Sequence, residues 1–104
     1  MARPSKLSTD VVEAWLRSHD AWSREGDALV RTYRFADFSA ALGFTVRVGL
    51  VAEKRDHHPD VHLGWGKARL VWTTHDAGGI TQLDLDLAEA SDAIAAGHTK
   101  GVDA

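Results

Sequence analysis

Residues 53–59 read Glu-Lys-Arg-Asp-His-His-Pro, and a third histidine follows in Thr74-His75-Asp76. An imidazole, with an ordinary pKa of roughly 6.5, both gives and takes a proton near neutral pH. Three of them could supply acid, base and orientation to one small substrate without a metal or a nucleophile. Alone, the His57-His58 pair would read as a solvated junction. Glu53 one helical turn earlier, with Asp56 and Asp60 on either side, changes that reading. A carboxylate beside an imidazole favours its charged form and fixes its tautomer, as a general acid requires. His75 taken singly reads as a histidine bonded to a backbone carbonyl; its value lies in whether the fold carries it to His58.

A metal site is the competing chemistry. His57, His58, His62 and His75 with Asp60 offer nitrogen and oxygen ligands, but their spacing matches no familiar pattern. Adjacent residues of an extended chain point opposite ways, so His57 and His58 are poorly placed to share one ion. Acid–base work is the preferred reading. The pair Gly78-Gly79 lacks the flanking pattern of a phosphate loop. Asp84 reads most simply as a helix cap and Asp76 as a turn residue. Trp15, Trp22, Trp65 and Trp72 read as packing, although Trp65 or Trp72 could wall a flat heterocycle.

The elements that must hold these residues follow from caps and periodicity. Residues 1–7 read as a frayed lead-in. Ser8 or Thr9 caps a first helix with Val12, Trp15, Leu16 and His19 on one face. Glu25-Gly26-Asp27 is a turn, and Leu29 to Phe35 has the β-branched and aromatic content of a strand. Asp37 caps a second helix in which Phe38, Ala41, Leu42, Thr45, Val48, Gly49 and Ala52 keep helical spacing, with small residues where something presses close. It should end near Asp56, because Pro59 turns His58 away from helical angles. Val61–Trp65 and Ala68–Thr74 form a hairpin about Gly66-Lys67, with Ala68, Leu70, Trp72 and Thr74 on one face. Thr81-Gln82-Leu83-Asp84 is a capping-box pattern opening a third helix, with Leu83, Leu87, Ala90 and Ile94 buried and Gly97 as the stop. Leu83 to Leu87 also alternates like a strand, but the cap and the Ala-rich continuation favour helix. The result is an α+β fold, α-β-β-α-β-β-α: a four-stranded antiparallel sheet with three helices on one face.

The 104 residues suit one domain, 1–104, with its core over about 7–96. A formal charge of −3 favours neither nucleic acid nor an anionic membrane as partner. The absence of cysteine excludes disulfides and thiol catalysis and fits a cytoplasmic protein. No window has the length of a membrane span, and Met1 to Lys6 lacks the apolar run of a signal peptide.

From about Leu7 to Ala96 the chain resembles the pterin-4a-carbinolamine dehydratases, known in animals also as dimerisation cofactors of a homeodomain transcription factor. Glu53-x3-His57-His58-Pro59 and Thr74-His75-Asp76 stand at the family's separation and in its order, followed by Gly79-Ile80-Thr81 and Asp84. Trp22 and Phe35-Ala36-Asp37-Phe38 also look like the family's. The resemblance implies removal of water from a 4a-hydroxytetrahydropterin to give the quinonoid dihydropterin, in recycling of the tetrahydropterin, with no cofactor and no metal. It places the catalytic histidines on His57, His58 and His75. Substrate contacts fall on Glu53, His57, His58, Pro59, Thr74, His75, Asp76 and Ala77. It implies a homodimer or homotetramer whose partner is a small pterin, with no direct nucleic-acid or membrane contact. Trp65-Gly66 and Val61-His62 depart from the family's pattern, and both changes touch the hairpin rather than the histidines. The alternative is a non-catalytic dimerisation, assembly or transcriptional cofactor on the same fold. Loss of a catalytic histidine would mark that fate, and all three are present.

Overall fold

A computed structural model describes residues 4–103, with side chains described over residues 4–97. The elements run α1 (Thr9–Ser18), β1 (Ser23–Glu25), β2 (Ala28–Arg34), α2 (Phe38–Lys54), β3 (Asp60–Gly64), β4 (Lys67–Trp72), a 3-10 turn (His75–Ala77) and α3 (Gln82–Asp103). The strands form one antiparallel sheet in the order β1-β2-β4-β3. Register sets the faces. Leu29 opposes Trp72, Arg31 opposes Leu70 and Tyr33 opposes Ala68. All but Arg31 are buried, so this is the face that carries the three helices.

Helices α1 and α2 are each started by the side chain their sequence offers. The Ser8 hydroxyl accepts from the Val11 N–H, and the Asp37 carboxylate from the Ala40 N–H at 2.8 Å. Val12 of α1, Phe44, Val48 and Ala52 of α2, and Leu83, Leu87 and Ala88 of α3 bury against Leu29, Tyr33, Leu70 and Trp72. An Arg55–Asp86 ion pair at 3.5 Å links the end of α2 to α3.

Four local expectations change. Leu7 donates its N–H to the Ile80 carbonyl at 2.8 Å and packs on the core, so the lead-in is anchored before α1 begins; residues 1–3 lie outside the described residues. Phe38 and Leu42 keep helical spacing but face outward, 44% and 42% exposed, while Ala40, Ala41 and Phe44 turn inward. Gly49 is exposed, and a Cβ there would meet nothing within 4 Å, so nothing within the chain presses on it. Helix α3 runs past Gly97 to Asp103. One glycine costs a helix only about 1 kcal/mol, and no proline follows to stop it.

Candidate active site

Two chain reversals meet at one end of the sheet. The first closes α2. The Asp56 N–H donates to the Glu53 carbonyl and the His57 N–H to the Ala52 carbonyl, both at 3.1 Å. This pair of bonds is a Schellman closure, with Asp56 in the left-handed position at φ 50°. The first histidine is therefore tied by its own main chain to the last turn of α2. Pro59 then keeps the chain extended into β3. The second reversal leaves β4. Thr74 and Gly79 exchange backbone hydrogen bonds around the His75–Ala77 turn, which closes through Gly78 at φ 75°.

Between the reversals lies a cleft of about 330 Å³, walled by residues 56–60 on one side and 73–76 on the other. His57, His58 and His75 all line it, with Pro59, Thr74 and Asp76. Of the other expected contacts, Glu53 is reached through His58, and Ala77 sits in the turn beside the cleft rather than in its wall.

The three imidazoles stand in different surroundings. His57 is 7% exposed, and its Nε2 lies 2.6 Å from Oδ1 of Asp84, which is fully buried. An ionised carboxylate accepts only, so Nε2 carries the hydrogen and Nδ1 is left to exchange a proton. Oδ2 of Asp84 accepts from Thr74 Oγ1 at 2.7 Å and from the Thr81 N–H at 2.9 Å. Thr74 spends its single hydroxyl proton on Asp84, so Thr81 Oγ1 donates to Thr74 across their 2.9 Å contact. Asp84 thus anchors the start of α3 and orients His57 in the same act, with the positive end of the helix favouring its charge. Trp72 backs the His57 ring at 5.9 Å between centroids and 20° between planes. His58 is half exposed and meets Oε1 of Glu53 through Nε2 at 2.6 Å. His75 is exposed at the mouth of its turn.

The capping role of Asp84 is legible in the sequence; its hold on His57, 27 residues away, is not. A signal was present: a capping box favours Glu or Gln at this position, and the shorter Asp side chain leaves one oxygen turned elsewhere. Among the described residues no group of three or more His, Asp or Glu side chains is arranged to hold a metal ion. No described helix is long and apolar enough to cross a membrane.

A family model described as pterin 4 alpha carbinolamine dehydratase matches residues 5–94. A protein of Bradyrhizobium sp. (strain BTAi1) is 50% identical over 93 residues, covering 88% of this chain and 94% of its own. One from Natronomonas pharaonis is 44% identical over 90 residues, covering 86% and 96%. Both are provisionally named pterin-4-alpha-carbinolamine dehydratase. A crystal structure from Brucella melitensis, described as a transcriptional coactivator/pterin dehydratase, superposes with a TM-score of 0.84 at 34% identity, over 88% of this chain and 99% of that one. A pterin dehydratase-like RuBisCO assembly factor of the alpha-carboxysome shares the fold alone, at 16% identity and a TM-score of 0.59, over 71% of this chain and 86% of that one.

Proposed function

Because this chain belongs to the pterin 4 alpha carbinolamine dehydratase family, we propose that it removes water from a 4a-hydroxytetrahydropterin, leaving the quinonoid dihydropterin for reduction back to the tetrahydro form. The observation that carries the reading is the meeting of His57, His58 and His75 in one cleft. Hydroxide is a poor leaving group, since water has a pKa of about 15.7. An imidazolium hands it a proton as the C4a–O bond breaks, and a ring-nitrogen lone pair forms the new C=N bond. A second imidazole takes the proton that ring nitrogen loses. One proton is given and one taken, so the enzyme is restored after proton exchange with solvent. His57 and His58 fill these roles in either order, and His75 orients the pterin or its hydroxyl. Thr74, fixed by Asp84, and the Asp76 loop supply the facing wall.

Each positioned proton transfer is worth about 10²–10⁴-fold. Decay of the 4a-hydroxy adduct, followed by absorbance, should be accelerated by the wild-type protein and slowed about 10²-fold in His58→Ala. Equal decay with and without wild-type protein would leave a non-catalytic module on this fold as the better reading.

The partner of the outer surface of α2 is, in this reading, a second copy of the chain. Phe38, Leu42, Val46 and Leu50 form a stripe at four-residue spacing, each 42–64% exposed. Antiparallel pairing about a two-fold axis would cover both stripes and set Asp37 of one copy near Lys54 of the other. Light scattering should report an oligomer that Leu50→Asp shifts toward monomer; a wild-type monomer at micromolar concentration would rule the pairing out.

A further inference from the structure

We propose that Trp72 is a positioning residue for His57, its indole face holding the imidazole in plane and stabilising it when it carries a proton; the inference rests on the catalytic reading of His57 given above. Trp72 is fully buried at the end of β4. Its ring lies 5.9 Å from that of His57 with 20° between their planes, within the roughly 6 Å at which an indole face attracts a cation. Its Nε1 is the one buried side-chain nitrogen or oxygen without a hydrogen-bond partner among the described residues. An unmet buried donor is destabilising. An aliphatic side chain would strand no donor there, although it would leave part of the core space empty. The indole fills the core, and the unmet Nε1 shows that it is kept there at a cost that its contact with the His57 ring accounts for.

The surroundings of His57 make the contribution specific. Asp84 from α3 holds Nε2 in the ring plane, and the Schellman closure fixes the backbone. Neither restrains rotation of the ring about the line joining them; an offset, near-parallel aromatic ring beside it does. The other titratable groups on this cleft are His58, Asp56 and Asp60 from the first reversal and His75 and Asp76 from the second. Only Trp72 forms a ring contact with His57 among the described residues.

Two measurements test this. In steady-state dehydration, Trp72→Leu should lower kcat about tenfold with KM within about twofold, and Trp72→Phe, which keeps an aromatic face, should recover most of the loss. Protonated imidazole also quenches a stacked indole. Because His19 stacks on Trp15 at 4.0 Å, the emission titration is run in a His19→Gln background. Emission should step down on acidification, and the step should vanish in both His57→Gln and Trp72→Phe. A wild-type kcat in Trp72→Leu, a loss confined to KM, or a step that survives Trp72→Phe would overturn the proposal. If Trp72→Leu does not fold, the emission step in Trp72→Phe decides alone. The titration needs no substrate, so a wild-type protein inert toward the adduct would remove the dehydratase reading while the emission step still judged the ring pair.

Discussion

Helix α3 carries two carboxylates that each gather several donors, and they do opposite work. Asp92 accepts from Arg31 at 2.7 Å, from Trp22 Nε1 at 3.0 Å and from the Tyr33 hydroxyl. It ties α3 to the sheet beside the guanidinium of Arg31, which also lies 4.4 Å over the Tyr33 ring. Asp84, eight residues earlier, has no fixed cation among its partners. It takes one hydroxyl donor, one amide donor and one imidazole. The charge at Asp92 is neutralised permanently, so the cluster is a strut. The charge at Asp84 faces a group that can itself gain or lose a proton, and that group borders a cleft. In the proposed mechanism a buried carboxylate becomes functional through the partner it is given.

The comparison is broken most severely at Asp84. Asp84→Asn keeps the shape but places an amide donor against His57 or Thr74, so one contact must fail or the imidazole must change tautomer. We expect kcat to fall by about 10²–10³-fold, with the fold retained by circular dichroism; a loss under threefold would show that Asp84 is only a cap. Asp92→Asn should leave kcat within about threefold yet cost about 2 kcal/mol in urea denaturation, since Arg31 loses its counter-charge in a site still partly open to water. If activity fell as far as in Asp84→Asn, the distinction between strut and site would be lost.

The smallest effect sharpens the strut. Burial, reinforced by Asp92, raises the Tyr33 phenol well above its ordinary value near 10.0. A group whose pKa is raised by folding contributes stability that is complete below its unfolded pKa and is lost as pH rises above it. Wild-type stability should therefore decline above about pH 10. Tyr33→Phe should cost about 1 kcal/mol at pH 7 and flatten that alkaline decline. An unchanged alkaline slope in the variant would remove Tyr33 as its source.

Where the chain is governed by neighbours in sequence, it could be read. Asp37 and Pro59 bracket α2, the alternation from Ala68 to Trp72 marks its inward face, and Thr81-x-x-Asp84 announces α3. The outward turn of Phe38 and Leu42 was not legible, because an apolar stripe looks the same whether it meets the sheet or solvent. Nor were the burial of Leu85, the hold of Asp84 on His57, or the gathering of Trp22, Arg31 and Tyr33 on Asp92. These depend on residues tens of positions apart, and local periodicity carries no record of them. The three histidines stand out in the sequence by their chemistry; that they share a cleft follows from two reversals falling at one end of the sheet.

The Schellman closure at the end of α2 bears on chain length more than on residue identity. From Ala52 to His57 the spacing is fixed by hydrogen bonds that close over a set number of residues. One residue added or removed there would turn His57 off Asp84 and throw Pro59 out of step with β3. The Trp65-Gly66 tip carries no such obligation toward the cleft, so insertions belong at the hairpin and deletions before the histidines should not be survivable.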